Sequence, residues 1–589
     1  MLRALPLLQS SADTWFRKRP CASCHHQGLG MMAVSLARER GLPIDAALLA
    51  TQVDKTLRDP SRKAERMVLG EASINEAISQ SYRLLGVAAA GAPAGSDHGL
   101  VTHMLAGKQH VSGRWVSVSH RPPLEDTDFT ATAVTIRALR LFPPAGRERE
   151  MDAQLARARA WLESASPAST EDQSMQLLGL VWSGASSESV EPKAEDLWAA
   201  QREDGGWAQI PMRESDAYAT GQALVALHLA GSERPHDIAR GIELLLRTQQ
   251  ADGSWQVTTR RGASPGLPYF DSGFPHGEDQ FISYAGSAWA TMALILATGE
   301  GTTEALVGGA AVTATGSSPG GTSLSDELPP LLRTALAGSL EELQAALAKG
   351  ANPNAATPSG LTALMCAVQD PRKVAALLEA GARPDAATTS GHTALLLAAG
   401  YDGAEESVRL LLEAGAEAQA STSSAMTPLL RAVLRGDQEV AALLLERGVR
   451  ISGSDRQRVP LHLATWGDDA AMASFLLDRG AAVDERSHTG DGALGETGLM
   501  MAVADGLVTV TRLLISRGAD VNARDAEGFT PLMLAAGAAD RGSSEILDAL
   551  LAAGADPSVE SQGGQTALSI AQWLSRDAGI AALERALRR

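Results

Sequence analysis

The chain has 589 residues, and at roughly 150 residues per domain this length predicts two to four units rather than one compact domain. Apolar residues make up 44% and charged residues 20%, which excludes bulk disorder, collagen-like sequences and small disulfide-rich proteins. Acidic residues outnumber basic ones by 69 to 51. The resulting negative net charge repels nucleic acids and anionic membrane surfaces, which argues against both as partners. The most apolar stretch, residues 286–298, is shorter than the roughly 18 residues of a membrane span, and no transmembrane helix is expected.

A cysteine motif lies near the N-terminus, where the sequence reads Cys21-Ala-Ser-Cys24-His25. It is the signature of covalently attached c-type haem, in which the two thiols add to the haem vinyl groups and the adjacent histidine binds the iron. In a chain of this composition the pattern arises by chance in roughly 2 of 10,000 sequences. The open alternatives are a zinc site completed by His26 or a distant histidine, a reducible dithiol and a vestigial motif.

The sequence does not determine the second axial ligand of the haem iron. The second axial position could also be vacant. Met31 and Met32 lie too close to the motif to fold over the opposite haem face. The remaining candidates are Met67, Met104, His103, His110 and His276.

Haem attachment implies a periplasmic or otherwise extracytoplasmic protein, whereas a chain without haem is expected in the cytoplasm. The apolar run after Arg3 is shorter than the core of a secretory signal. We therefore expect the true start to lie upstream.

A slow helical repeat covers residues 100–298. Helices run into turns that contain Gln, Gly and Trp, at residues 108–115, 201–207 and 249–255. The 48 residues from Trp207 to Trp255 are one step, and the 92 residues from Trp115 to Trp207 are about two, so one unit lacks its Trp. Helix pairs with such turns resemble the α/α toroid of squalene-hopene cyclases and protein prenyltransferases. The resemblance implies that the Gln and Trp side chains tie helix ends together.

The same resemblance extends to two shorter segments. Bacterial proteins with a Cys-x-x-Cys-His-His-Gln segment before such a toroid are similar to this chain, and their counterpart of residues 270–280 looks like the one here. Nearby Glu278, Asp279 and Tyr284 could line a pocket or be solvated. The zinc ligands of the prenyltransferases have no evident counterpart.

The acid motif of the cyclases, Asp-x-Asp-Asp, has a partial counterpart at Asp126-Thr-Asp128-Phe129. The resemblance places Asp128 at the proton donor, but Phe129 replaces the last aspartate. A carboxylic acid that protonates an alkene must be strongly acidic and kept dry. Helix capping by Asp126 or Asp128 explains the same residues without catalysis.

Residues 299–327 are rich in Gly, Thr, Ser and Ala and predict a flexible linker.

A second repeat with a shorter period follows over residues 328–589. Its threonine-equivalent positions are 362, 393, 427, 459, 497, 530 and 566, with an average step of 34 residues. Threonine would cap the first helix of each unit, Leu-Leu pairs would fill the core between units, and glycine would end the second helix at positive φ. This half resembles an ankyrin-repeat array of six full repeats plus two caps, close to the 33-residue ankyrin period.

Ankyrin arrays present a concave surface of hairpin tips and first-helix faces, so the resemblance implies binding of a protein partner. The charged tip residues are the candidates for that contact, namely Arg456, Arg458, Arg524, Asp525 and Glu527. His462 is expected to pack or cap within its repeat, and Cys366 to be a small core residue. The Gly-rich segment 487–495 is a partner contact or a neutral insertion.

Taken together, the sequence predicts an all-α protein with an N-terminal segment (1–99) packed on a toroid (100–298), a linker and an ankyrin solenoid. The first functional hypothesis is an interaction protein that carries haem c for electron transfer or sensing. The alternatives are an isoprenoid cyclase-like enzyme that uses Asp128, a haem redox enzyme, and an adaptor with a vestigial Cys-x-x-Cys-His motif.

Overall fold

The computed structural model divides the chain into two compact units, Met1–Leu328 and Pro329–Arg589. It describes residues 2–18, 24–58, 64–71, 76–92, 96–117, 124, 127–144, 147–259, 271–299, 303–307, 327–453, 459–487, 495–537, 543–574 and 577–588. In these ranges the secondary structure is helical, and β structure is limited to isolated bridges such as the one between Ala356 and Thr362. The predicted all-α class is confirmed.

The first unit contains fourteen helices in its described part. They are α1 (Ala4–Lys18), α2 (Cys24–Glu39), α3 (Ala46–Leu57), α4 (Ala64–Leu69), α5 (Glu76–Ala89), α6 (Ser96–Ala106), α7 (Asp128–Leu141), α8 (Glu148–Ser164), α9 (Thr170–Ser183), α10 (Ser187–Ala199), α11 (Ala217–Leu229), α12 (Pro235–Thr248), α13 (Gln280–Leu296) and α14 (Glu304–Val307). A short 3-10 turn, Gly277–Asp279, leads directly into α13.

Six of these helices form a closed ring. Helix α2 packs on α5, α5 on α7, α7 on α9, α9 on α11, α11 on α13, and α13 packs back on α2. The other long helices lie outside, and each bridges two neighbouring ring helices: α1 joins α13 to α2, and α12 joins α11 to α13. Helices α3, α6, α8 and α10 fill the four remaining outer positions in the same way. The unit therefore has two concentric helical layers.

Small residues let the ring helices approach one another closely. A β-carbon at Gly221 of α11 would lie 2.5 Å from the backbone nitrogen of Ala290 in α13. One turn earlier, Gly286 of α13 lies against Tyr218 of α11. Because residue numbers rise together along the two helices, α11 and α13 run parallel.

The Trp turns fasten the two layers together. Trp207 is fully buried, its backbone N–H donates to Thr220 Oγ1 at 3.0 Å, and its indole Nε1 donates to Leu197 O at 2.8 Å. Gln201 Nε2 donates to Gly205 O and to Asp237 O, both at 2.8 Å. Trp115 and Trp255 repeat these bonds, and their indoles donate to carbonyls ten residues earlier. The predicted structural role of the Gln and Trp side chains is confirmed.

The extent of this unit differs from the sequence prediction in two respects. Helices α2 and α5 belong to the ring although they precede residue 100, and the predicted boundary between residues 99 and 100 falls inside α6. The sequence repeat does not include α2 and α5 because neither helix follows a Trp turn. Part of the predicted linker is also ordered, since α14 packs on α2 and α5 and buries Leu306.

The second unit consists of helix pairs stacked in chain order. They are α15 (Pro330–Ala337), α16 (Leu340–Ala348), α17 (Ala363–Cys366), α18 (Pro371–Glu379), α19 (Ala394–Ala398), α20 (Glu405–Glu413), α21 (Pro428–Arg435), α22 (Gln438–Glu446), α23 (Pro460–Trp466), α24 (Ala470–Asp478), α25 (Gly498–Ala504), α26 (Val508–Ser516), α27 (Pro531–Gly537), α28 (Ser543–Ala552), α29 (Ala567–Trp573) and α30 (Asp577–Leu587). Each first helix packs on the first helix of the next pair.

The predicted chemistry of the repeat is present at the helix ends. Thr393 Oγ1 accepts from Leu396 N at 3.2 Å at the start of α19, and Thr427 Oγ1 accepts from Leu430 N at 3.3 Å at the start of α21. Glycines follow the second helices at positive φ, for example Gly415 at +89° and Gly554 at +92°. Cys366 is a buried free cysteine, as expected of a core position.

Candidate functional sites

The Cys-x-x-Cys-His motif lies at the entry to a ring helix. Cys24 and His25 are the first two residues of α2, whereas Cys21 and the side chains of Cys24, His25 and His26 fall outside the described residues. Within the described ranges, no three His, Cys, Asp or Glu side chains come together in a group that could hold a metal ion. Haem and zinc at this motif both remain predictions.

The candidate second ligands are held in ordinary packing or hydrogen bonds. The two candidate methionines, Met67 and Met104, are buried. His103 Nδ1 lies 2.9 Å from Arg147 Nη1, and His110 Nδ1 lies 2.9 Å from Ser112 Oγ.

His276 contacts the last Trp turn of the ring. Its Nε2 lies 2.8 Å from Ser254 Oγ, and Ser254 Oγ donates to Asp252 at 2.7 Å. Burial lowers the pKa of His276, and the carboxylates of Asp252 and Asp279 oppose that shift. The residue adopts φ +83° at the start of the 3-10 turn. Iron binding through Nε2 requires the Ser254 hydrogen bond to break, and a distal-ligand role stays a prediction.

Asp128 is tied to the turn that precedes α7. Its Oδ1 accepts from Ser117 N at 2.7 Å, and its Oδ2 lies 2.7 Å from Arg114 Nε. An ion-paired carboxylate is the opposite of the dry, protonated acid that alkene protonation requires. The residue does not cap the helix either, because it is the first residue of α7 and Thr127 holds the capping position. Asp128 therefore connects a turn to a helix.

The three residues before and within α13 have separate environments. Tyr284 is fully buried, faces Gly30 of α2, and burial raises its pKa. Asp279 Oδ1 accepts from Thr259 N at 2.8 Å, while Glu278 is exposed.

The predicted partner-binding tips divide into two groups. Arg456 and Arg458 lie outside the described residues. Asp525 is buried, and its Oδ1 accepts from Phe529 N at 2.7 Å and Glu527 N at 3.0 Å, so it closes its own hairpin. The carboxylate of Asp525 is therefore bonded within its own hairpin, and a partner contact through Asp525 stays a prediction. Arg524 and Glu527 are exposed, although Arg524 also donates to Glu560 O of the next hairpin.

His462 has the structural role expected of it. Its Nε2 lies 2.8 Å from Glu485 O, which joins one repeat to the following hairpin.

A groove lies between two successive hairpins of the array, and sequence analysis missed it. It is lined by Gln419, Leu429, Val449, Arg450, Ser452 and Pro460. Arg450 and Ser452 are exposed, whereas Val449 and Leu429 supply a buried apolar floor. The exposed Arg450 just after a second helix was the available signal, because the equivalent position of most other repeats carries no basic residue.

A cluster of carboxylates lies further along the same unit. Glu496 is half-buried before α25, and burial together with the neighbouring charges of Asp505, Asp525 and Glu527 raises its pKa. Each of the three neighbouring carboxylates disfavours the charged form of Glu496.

Comparison with known proteins supports the interpretation of the second unit. A family model described as ankyrin repeats matches three overlapping stretches, residues 331–422, 395–487 and 461–561. Residues 331–561 are ankyrin repeats. An ankyrin repeat-containing protein of Treponema pallidum is 36% identical over 141 residues, which are 24% of this chain and 45% of that protein. The mouse B-cell lymphoma 3 protein homolog is 37% identical over 106 residues, 18% of this chain and 22% of that protein.

These relatives share the repeat rather than the whole protein, because the chain spans less than half of the length of each. Among solved structures, the ankyrin repeat domain of human ASB11 is 31% identical, with 39% of this chain and all of that domain covered and a TM-score of 0.34. Ankyrin repeats imply a protein–protein interaction role for the second unit. In the described part of the chain, no helix is both long and apolar enough to cross a membrane.

Proposed function

We propose that this chain is an interaction protein whose ankyrin array docks a protein partner and whose helical ring carries a covalent haem c for electron transfer or sensing. The groove at Arg450 is the observation that carries the docking part. Haem would be attached through Cys21 and Cys24, with His25 as the iron ligand. The ring would be the α/α toroid that the Trp turns predict, and its closed cycle of helix contacts supports that assignment.

The docking surface combines an apolar floor with a charged rim. Val449 and Leu429 offer apolar contact, and the exposed guanidinium of Arg450 can bind a carboxylate of the partner with two parallel hydrogen bonds. Arg456 and Arg458 follow Arg450 within eight residues of sequence, so residues 447–458 are locally basic within a chain of net charge −18. We therefore expect the partner to present an acidic segment.

Site-directed photocrosslinking in the full chain tests the docking surface. A crosslinking residue at Gln419 or Ser452 should capture one discrete protein, because both positions line the groove. The matched control is Glu413, which is exposed at the end of a second helix. Once the captured protein is purified, Arg450→Glu should weaken its binding about tenfold, while Arg409→Glu on helix α20 should leave binding unchanged. Equal capture from Gln419 and Glu413, or no effect of Arg450→Glu, contradicts the proposal.

The haem part rests on the donor set of the motif. Two thiols separated by two residues and an adjacent imidazole are the groups that covalent haem attachment uses. Cys24 and His25 are the first residues of ring helix α2, so the residues that would hold the haem precede and open this helix. Covalent attachment of this kind would place the protein outside the cytoplasm.

An absorption spectrum tests the haem. The full chain, with an added secretion signal, would be produced in a host that matures c-type cytochromes, beside the double variant Cys21→Ala/Cys24→Ala. A haem band that survives denaturation in the parent and is absent from the variant supports the proposal. Bound zinc that disappears in the variant, or no bound group in either protein, refutes haem and leaves an ankyrin adaptor.

A further inference from the structure

We infer that the surface where helices α7 and α9 end is a binding site for a phosphate group. Two arginines converge there, Arg140 in the last turn of α7 and Arg159 of the outer helix α8. Both donate to the backbone carbonyl of Ser183, the last residue of α9. The paired guanidinium groups carry the inference.

This surface lies at the opposite end of the ring from Asp128. Helices α7 and α9 run parallel, because a β-carbon at Gly179 of α9 would meet Ala133 of α7, and Arg140 reaches Ser183 further along both helices. Asp128 is the first residue of α7, whereas Arg140 and Ser183 lie in the last turns of their helices. The arginine pair is therefore separate from the candidate acid, and it belongs to neither the Cys-x-x-Cys-His motif nor the ankyrin groove.

The two guanidinium groups are neighbours because they share one acceptor atom. Arg140 Nη2 lies 2.8 Å from Ser183 O, and Arg159 Nη2 lies 2.6 Å from the same oxygen. Like charges held this close repel each other. A single arginine is sufficient at the end of another ring helix, where Arg38 donates to Ala90 O at 3.1 Å just after α5. The end of a helix therefore does not by itself explain a second cation.

No carboxylate in the described part of the chain neutralises this pair. Neither Arg140 nor Arg159 forms an ion pair there. Glu163 lies four residues after Arg159 on α8, the spacing at which opposite charges on a helix can pair. Its carboxylate instead accepts from Ser189 Oγ at 2.7 Å. In a chain of net charge −18, these two cations are left for an anion from outside the chain.

The pair is accessible from solvent. Arg140 is exposed and Arg159 is half-buried. Gly184, which follows Ser183, is exposed at φ +72°, and a β-carbon there would meet only Arg140 Nη2, at 3.8 Å. The space beside the Arg140 guanidinium is therefore open to a ligand.

The number of donors and charges favours a phosphate group over a carboxylate. A guanidinium has five N–H donors, and the bond to Ser183 O is the one hydrogen bond that each of the two arginines makes to the described residues. One guanidinium fork satisfies both oxygens of a carboxylate. A phosphate monoester has three terminal oxygens and a charge of about −1.5 to −2 at pH 7. It therefore matches two forks and two positive charges.

Isothermal titration of the full chain with inorganic phosphate tests this site. We expect a single phosphate to bind, and acetate to bind about tenfold more weakly because it engages only one fork. Arg140→Gln and Arg159→Gln should each weaken phosphate binding about tenfold, since each removes charge-assisted hydrogen bonds. Arg38→Gln is the matched control, because it removes an arginine that bonds a helix-end carbonyl without a second arginine beside it.

A phosphate site and a simple helix cap predict different results. Phosphate binding that Arg140→Gln and Arg159→Gln weaken and Arg38→Gln preserves supports the inference. If the parent binds no phosphate while Arg140→Gln lowers its Tm, the two arginines only cap α9 and the inference fails. Equal binding of phosphate and acetate, or an equal loss in Arg38→Gln, overturns it as well. Should the glutamine variants unfold, Arg140→Lys keeps the charge but lacks the fork, and undiminished phosphate binding by that variant contradicts the site.

Vesicles identify the source of the phosphate group. The full chain would be sedimented with vesicles of phosphatidylcholine, with and without phosphatidic acid. Because the net charge of the chain is negative, we expect no sedimentation and therefore a soluble phosphate monoester as the ligand. Sedimentation that requires phosphatidic acid and is lost in Arg140→Gln would instead assign the site to a lipid headgroup.

Discussion

The two units solve the problem of burying helix faces in different ways. In the first unit the last inner helix, α13, packs back on the first, α2, so every inner helix has a neighbour on both sides. In the second unit each helix pair packs on the pair that follows along the chain. Damage at one point of a closed ring should therefore spread through the whole unit, whereas damage in a linear array should stay near its repeat.

The strongest way to break the ring is to remove a turn tryptophan. Trp207 is fully buried and holds a turn to both layers, so Trp207→Ala should lower the free energy of unfolding of the first unit by about 3 to 5 kcal/mol. The unfolding transition of the ankyrin unit should not move. Urea denaturation followed by circular dichroism measures both transitions. Trp573→Ala, at a position with 82% exposure, is the control and should change neither.

A smaller effect is expected from crowding one helix contact in the ring. Gly221→Ala places a methyl group 2.5 Å from the backbone of α13, and overpacking of this kind costs about 1 to 3 kcal/mol. Hydrogen exchange should accelerate in helices across the whole ring. Gly554→Ala, at φ +92° with open space around it, should cost about 1 kcal/mol and accelerate exchange only in adjacent repeats. Exchange confined to α11 and α13 would argue against a cooperative ring.

A helix cap in the array should have a smaller, local effect. Thr393→Ala removes the hydroxyl that accepts from Leu396 N, and the loss should be about 1 kcal/mol. Hydrogen exchange should increase in α19 and in the pairs beside it. Thr393→Ser keeps the hydroxyl and should restore protection, whereas an equal loss in both variants would show that the cap is not the cause.

The smallest effect concerns the carboxylate cluster. The pKa of Glu496 is raised in the folded state, so its charged form destabilises the fold above that pKa, and stability rises as the pH falls through it. Glu496→Gln should stabilise the second unit by about 0.5 kcal/mol at neutral pH. The gain should vanish below about pH 4, under the unfolded pKa of a glutamate. Thermal unfolding measured across this range checks the sign, and a gain independent of pH would exclude repulsion as the cause.

The ankyrin half was predictable because the residues that begin and end the helices of each repeat lie within that repeat. The threonine that caps a first helix and the glycine that ends a second helix are local features, and each recurs about every 34 residues. Their spacing alone therefore predicts the array, and the caps at Thr393 and Thr427 are present as predicted.

The ring was only partly predictable because its closure depends on distant contacts. Units with a Trp turn were recognised, but α2 and α5 have none, and their place in the ring follows from packing against α13 and α7. The environments of the candidate site residues were even less predictable from the sequence. The ion pair between Asp128 and Arg114 and the internal bonds of Asp525 depend on turn conformation, which a single sequence does not specify.

Ring closure also has a consequence for the order of events during synthesis. Ser11 of α1 donates to Ser272 O at 3.0 Å, across 261 residues of sequence. At roughly 5 to 20 residues per second, the ribosome needs roughly 15 to 50 seconds to supply the partner of the first helix. The inner layer cannot close before α13 has emerged. Throughout that interval α2, which begins at Cys24, lacks α13, one of the two ring helices against which it packs in the finished ring.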